Sequence, residues 1–291
     1  MRSFHPCSTI RLVAAACCVL AVCLIAPSAS VSPEAAAPNH LTESEKASGW
    51  RLLFDGRTLA GWDDPSKKNP PGDSWTVEDG AIVSLPHPGL REDLLTVDKF
   101  ENFELSLEWR LDRDSNSGIK YRIQQRVFLD LSKMRNMTEI QDQLAAELAH
   151  PSSDRSRIDR GQKGKDYTIG FEFQLIDDAV NKDAIDAKQV TGALYGLVAP
   201  SAHPAGPAGE YNSARLVVQG DKVQHWINGV KVLETSLAAQ PVLDGLKGRW
   251  GDHHPVFEML AHQPRRSCPI ALQNHGDRAY FRNIKIRELH P

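Results

Sequence analysis

The feature that most constrains this chain is the strict alternation of apolar and polar residues from Phe103 to Arg110, Phe-Glu-Leu-Ser-Leu-Glu-Trp-Arg. A two-residue period puts Phe103, Leu105, Leu107 and Trp109 on one face of a strand and Glu104, Ser106, Glu108 and Arg110 on the other. Residues 119–124 alternate likewise, with Lys120 and Arg122 opposite Tyr121 and Ile123. Residues 169–176 set Phe171, Phe173 and Leu175 against Glu172 and Gln174. Three strands with charges at alternate positions predict one continuous polar face.

Further strands are predicted at 214–219, 223–227, 230–234, 270–273 and 280–287, with Gly220-Asp221 and Asn228-Gly229 where two-residue hairpin turns are needed. Asp79-Gly80 between 75–77 and 81–83 is another hairpin signal. Many short strands without a repeating helical crossover predict an all-β fold, a two-sheet antiparallel jelly-roll sandwich. One segment departs from this. Met137, Ile140, Leu144 and Leu148 recur at helical spacing, so about 125–167 is a helical insertion, which either packs on a sheet edge or covers a pocket.

Residues 1–30 read as a signal peptide, because Arg2 and Arg11 precede an apolar run from Leu12 to Ala26 and Ser28-Ala29-Ser30 offers a cleavage site. The chain is therefore expected in the periplasm or secreted. The alternative is a lipoprotein anchored through Cys23, on the lipobox-like Leu20-Ala21-Val22-Cys23. Residues 31–48, rich in Ala, Pro, Ser and Glu, read as a flexible linker to a domain over 49–291. Removing Arg2 and Arg11 takes the formal charge from −3 to −5. A mildly acidic chain without a basic block is not expected to bind nucleic acid, and no later stretch is apolar enough to be a stable membrane span. Of the five cysteines only Cys268 lies beyond the leader, so no internal disulfide is expected.

Several polar-aromatic phrases punctuate the predicted strands. They are Leu53-Phe54-Asp55-Gly56 through Gly61-Trp62, Glu108-Trp109-Arg110, Asn116-Ser117-Gly118-Ile119 with Tyr121-Arg122, Glu172-Phe173-Gln174 with Asp177-Asp178, Thr191-Gly192-Ala193-Leu194-Tyr195, Asn228-Gly229, and Leu272-Gln273-Asn274-His275-Gly276 with Phe281-Arg282-Asn283-Ile284. In this order, from about Trp50 to Leu289, the chain resembles the 3-keto-disaccharide hydrolase family. The resemblance implies a concanavalin-like sandwich and cleavage of glycosides whose sugar is oxidised to a ketone at carbon 3. Residues 241–266, with His253-His254, match no phrase of the family.

A ketone at carbon 3 acidifies the carbon-2 proton and makes the glycosidic oxygen a β-leaving group. Cleavage can then run by elimination and hydration, or by hydrolysis, and needs a base, donors for the enolate and an acid. The base is expected among His275, Glu172 and Asp177, with His275 favoured because imidazole titrates nearest neutrality. Glu172 and Asp177 are also candidates to protonate the leaving group. Arg122 and Arg110 are the candidates for enolate stabilisation, since guanidinium never deprotonates. Either arginine could instead pair with carboxylates across the sheet. Asn116, Gln174, Asn212 and Gln273 suit hydroxyl recognition, and Tyr195 and Trp226 suit stacking on a sugar. His225 alternates with Val223 and Ile227 and reads as a buried, satisfied histidine. No cofactor is required. A divalent cation could polarise the ketone, but Asp177, Asp178, Asp183 and Asp186 lack a calcium-loop rhythm and His253-His254 and His262 lack zinc spacing. The alternative function is a non-catalytic carbohydrate-binding module of lectin type.

Overall fold

The computed structural model describes residues 37–63, 74–87, 90–150, 164–179, 186–262 and 264–290. The expected leader and Asp183 lie outside the described residues. Strands are numbered in chain order. The larger sheet holds β1 (Arg51–Leu52), β3 (Trp75–Glu78), β4 (Ala81–Ser84), β7 (Phe103–Leu111), β10 (Asn212–Gln219), β11 (Lys222–Ile227), β12 (Val230–Ser236) and β14 (Ala279–Glu288). Its order is β12-β11-β10-β7-β14-β4-β3, with β1 added beside β14. The smaller sheet holds β2 (Trp62–Asp63), β5 (Leu90–Glu92), β6 (Leu94–Thr96), β8 (Asn116–Asp130), β9 (Gly164–Ile176) and β13 (Ala271–Leu272), ordered β2-β6-β13-β8-β9-β5. Pairing is antiparallel except between β5 and β9, which makes the fold the expected two-sheet sandwich.

Alternation decides which residues meet between the sheets. Leu105, Leu107 and Trp109 of β7 and Phe281 and Ile286 of β14 are buried in one core with Ile119 and Tyr121 of β8 and Phe171, Phe173 and Leu175 of β9. His225 joins the two layers. Its Nδ1–H donates to the Gly192 carbonyl (3.0 Å), which leaves Nε2 to accept the Tyr121 hydroxyl (3.1 Å), and its ring stacks on Phe173. Burial pushes this imidazole down to about 4, so it is neutral, as the alternation implied. At the β3–β4 turn both Asp79 and Gly80 take positive φ, the geometry that hairpins of two residues prefer.

Three boundaries differ from the sequence reading. The docked chain begins before residue 49: Asn39 donates to the Gly80 carbonyl and accepts from the Asn283 N–H, and α1 (Glu43–Ala47) opens with a Thr42/Glu45 capping box and pairs Glu45 with Lys285. A segment with three or more tertiary bonds is part of the fold and not a tether. Second, β8 and β9 run well into the expected insertion, which leaves a short helical turn and α2 (Met137–Ala149) within it. Helix α2 buries Leu144 and docks through Gln141 on the Arg249 carbonyl and the His254 ring. Third, the unmatched stretch 241–266 forms α3 (Gln240–Trp250) and the turns Pro255–Phe257 and Glu258–His262.

Candidate active site

The face of the smaller sheet turned away from the core carries a dense polar cluster. Register places Lys120 of β8 opposite Glu172 of β9, and Gly118 opposite Gln174. Gly118 is the position that lets the site form. A Cβ there would sit 2.9 Å from Glu172 Oε1, so its absence lets the carboxylate lie over β8. Gln273, which leaves β13 on the other side of β8, reaches across the same gap and donates its Nε2 to Glu172 Oε2 at 2.9 Å. The Gln174 amide donates to Asn116 Oδ1 at 3.4 Å, and the Asn116 backbone N–H donates to Asp277, whose carboxylate lies 3.7 Å from His275 Nδ1. Burial opposes ionisation of Asp277, but His275 and the Asn116 N–H outweigh it and hold the carboxyl below its usual range. Tyr195 sits at the opposite edge, its N–H on the Glu172 carbonyl and its ring beside the Arg249 guanidinium.

Two side-chain oxygens here, Gln174 Oε1 and Gln273 Oε1, are buried without a hydrogen-bond partner. Buried acceptors of this kind are uncommon and call for an explanation, and a ligand hydroxyl supplies one.

Beneath the cluster lies a charge network of residues that no sequence phrase flagged. The Lys120 ammonium donates to Asp93 at 2.8 Å with both side chains almost fully buried. The Thr168 hydroxyl and the Asn274 N–H complete the Asp93 shell. Burial alone would raise the Asp93 carboxyl, but Lys120 and Lys165 outweigh it and hold it below its usual range. Burial would likewise lower Lys120, yet Asp93 and Glu172 raise it. Lys165 has no such excess of partners: burial and the Lys120 charge push it down to about 8. The signal for this network is register, since Asp93, Lys120 and Lys165 meet only once β6, β8 and β9 are aligned.

The remaining sequence candidates lie elsewhere. Arg122 sits at positive φ in the β8 bulge, and its guanidinium donates to the Arg266 and Gly220 carbonyls. It seats loops and offers no donor to the Glu172 cluster. Arg110 and Trp226 lie on the outer face of the larger sheet, so the single polar face expected from three alternating strands is in fact two faces on opposite sheets. There Arg110 stacks on Tyr280 at 3.7 Å and Arg215 stacks on Trp226 at 4.0 Å. Asp177 uses Oδ2 and Oδ1 to hold the Asp114 and Ala179 N–H groups. It is five residues beyond Glu172, roughly 16 Å along the strand. Asn212 is held by neighbouring loops, its Oδ1 accepting from the Gly206 N–H and the Asn228 amide and its Nδ2 donating to the Glu210 carbonyl.

A cavity of about 550 Å³ lies beside Asp177 and Asn212 and not at Glu172. Volume alone does not make it the catalytic centre: the oxygens of Asp177 are tied to backbone N–H groups, and Asp178 and His203 share its wall. The space at Glu172 is about 30 Å³, walled by Tyr195, Leu246, Trp250 and Leu260, room for a water or two. Among the described residues, no three of His, Cys, Asp and Glu cluster closely enough to hold a metal ion. No helix among them is long and apolar enough to cross a membrane.

The comparisons with known proteins follow this geometry. A 3-keto-disaccharide hydrolase of Bacteroides thetaiotaomicron is 29% identical over 279 residues, covering 91% of this chain and 87% of the relative. Two crystal structures from Parabacteroides distasonis, each described as a candidate glycosyl hydrolase, share the fold. One has a TM-score of 0.63 at 24% identity, covering 87% of this chain and 100% of that one. The other has a TM-score of 0.54 at 24% identity, covering 82% and 99%. Residues 49–287 match the 3-keto-alpha-glucoside-1,2-lyase-like domain, and the chain belongs to that carbohydrate-active family.

Proposed function

We propose that this protein cleaves 3-keto-glycosides by taking the carbon-2 proton with Glu172, expelling the glycosidic oxygen and adding water to the resulting enone. The observation that carries this is the convergence of Glu172, Gln273 and Gln174 over the side-chain-free Gly118, with two amide oxygens lacking partners. Glu172 replaces His275 as the favoured base because it has a fixed donor and a cation across the register, whereas the His275 side chain is 44% exposed at the rim.

The steps balance without a redox partner. As Glu172 removes the proton, the carbon-2 electron pair moves into the ketone to give an enolate, and Lys120 and Arg249 supply positive potential for it. The enolate collapses as the carbon-1 oxygen leaves, and that oxygen takes a proton from His275, which Asp277 orients. Water then adds across carbons 1 and 2 to give the free 3-keto sugar. Gln174 and Gln273 accept substrate hydroxyls. The space under Trp250 is too small for a sugar, so the substrate approaches from the Gln273 and Asn116 side or displaces Trp250. Residues 1–30 extend the proposal to an enzyme exported to the periplasm or secreted.

The test is incubation with a 3-keto-glucoside and its unoxidised parent in heavy water, followed by NMR. Release from the ketone alone with deuterium at carbon 2, and a loss of about 10²–10⁴-fold for Glu172→Gln, is expected. Cleavage of the unoxidised glucoside would point to ordinary glycosidase chemistry, and cleavage of neither to the carbohydrate-binding module.

A further inference from the structure

The 550 Å³ cavity at the end of the sandwich falls in the size range of small-molecule sites. Its floor is the inner end of β7, Trp109 and Leu111. Its sides are the exit of β9 at Ile176 to Asp178, together with Val190 and the loop of Ala205 to Pro207.

Trp109 is 3% exposed, and its indole N–H has no hydrogen-bond partner. A buried tryptophan N–H ordinarily finds an acceptor. Here the N–H belongs to a side chain that lines a space large enough to hold one. Asp178, which lines the cavity beside His203, accepts the Thr191 N–H on Oδ1. Burial raises the Asp178 carboxyl, so charge is disfavoured at this wall.

These groups select the ligand's chemistry. An ammonium cannot accept from the indole, and a carboxylate cannot donate to Asp178. A hydroxyl does both. Leu111, Ile176, Val190 and Pro207 present apolar surface to whatever carries those hydroxyls, and the C–H face of a sugar ring is an apolar surface edged with hydroxyls. We infer that this cavity is a second carbohydrate site, which binds a neutral, unoxidised glycosyl unit between the Trp109 N–H and Asp178. It does not depend on the ketone chemistry proposed for Glu172. The two sites adjoin, because Ile176 is the register partner of Asn116, so a sugar held here lies next to the end of the catalytic face.

The test is isothermal titration of the full chain with methyl gluco-, galacto-, manno- and xylopyranosides. At least one should bind saturably. Binding should be retained in Glu172→Gln, weakened about tenfold in Asp178→Asn by loss of one hydrogen bond to the carboxyl, and abolished in Ala205→Trp, which fills the cavity from a loop. Trp109→Phe should weaken binding likewise, and thermal melting distinguishes this from misfolding of a core variant. The inference is overturned if no glycoside binds the wild type, or if binding survives Ala205→Trp and is lost in Glu172→Gln.

Discussion

The outer faces of the two sheets are written in the same alternating code, yet they satisfy their polar groups in different ways. On the larger sheet the carboxylates are matched in cross-strand ladders: Glu104 accepts from Arg215 and Arg287, and Glu108 from Arg282. Those arginines in turn lie over aromatic rings, Arg215 over Trp226, Arg282 over Tyr211 and Arg287 over Trp50. On the smaller sheet a lysine-aspartate pair is buried beneath the surface, and above it two amide oxygens have no partner. These pairs keep their arginines part-exposed, at 34–38% for the two that hold the buried Glu104, and pairs in contact with water contribute less than fully desolvated ones. A desolvated network is costly unless complete, and it stands beside two amide acceptors without a protein partner. Unpartnered polar atoms occur on both faces, Arg110 Nε and Asn283 Oδ1 on the larger sheet and Gln174 Oε1 and Gln273 Oε1 on the smaller, so the depth at which the ion pairs are buried is what separates the two faces.

The largest effect on stability is expected at the base of the smaller sheet. Asp93→Asn keeps a group of the same shape beside Thr168 and Asn274 but removes the hydrogen-bonded counter-charge of the buried Lys120 ammonium, leaving only Glu172 across the register. Removing one partner of a buried pair costs about 3–5 kcal/mol. Urea denaturation should show that loss, and Lys120→Met in the same background should restore part of it. If Asp93→Asn costs less than about 1 kcal/mol, the same as a solvated pair, the contrast between the two faces collapses.

Lys165 sharpens the comparison through pH. Its ammonium is pushed down to about 8 in the folded chain from an ordinary 10.5. Between these values the unfolded chain holds a proton that the folded chain has released, so stability rises with pH across this window, by about 3 kcal/mol at most. Below pH 8 the full cost of burying the charge is present. Lys165→Met should therefore be more stable than wild type at pH 7, with the difference shrinking by pH 10. Lys231→Met, on the exposed β12 of the larger sheet, should show no such pH slope. Equal slopes in the two variants would mean that the Lys165 ammonium is solvated.

Much of this architecture was legible in the alternation itself. Phe171, Phe173 and Leu175 were assigned inward and Glu172 and Gln174 outward, and the structure agrees, because a strand's period fixes the side of each residue whatever its neighbours. The same period could not say which sheet a strand joins. For that reason Arg110 and Glu172 were expected on one face and are found on opposite sheets. Asp93 left no motif at all. Its role depends on β6 lying one strand from β8 across β13, a long-range pairing with no local cost or signature. Arg122 was a candidate for the enolate because guanidinium never deprotonates, but a bulge turns it toward the Arg266 and Gly220 carbonyls, and bulges are invisible to periodicity.

The smallest effect is expected at Trp226, whose position in the chain suggested a sugar platform. Its ring is already covered by Arg215 at 4.0 Å, and its Nε1 donates to Gln224 at 3.0 Å. A face so occupied has neither the open surface nor the free donor that a stacking subsite uses. Trp226→Leu should cost about 1 kcal/mol from the lost cation–π contact and leave kcat/KM for the 3-keto-glucoside unchanged within about twofold. Paired stability and steady-state measurements on this variant and on Gln273→Leu decide the matter. A KM rise in Trp226→Leu that matched Gln273→Leu would carry the substrate onto the larger sheet, and the boundary between the two faces would then have to be drawn at the Arg215 stack, with its guanidinium displaced by the sugar.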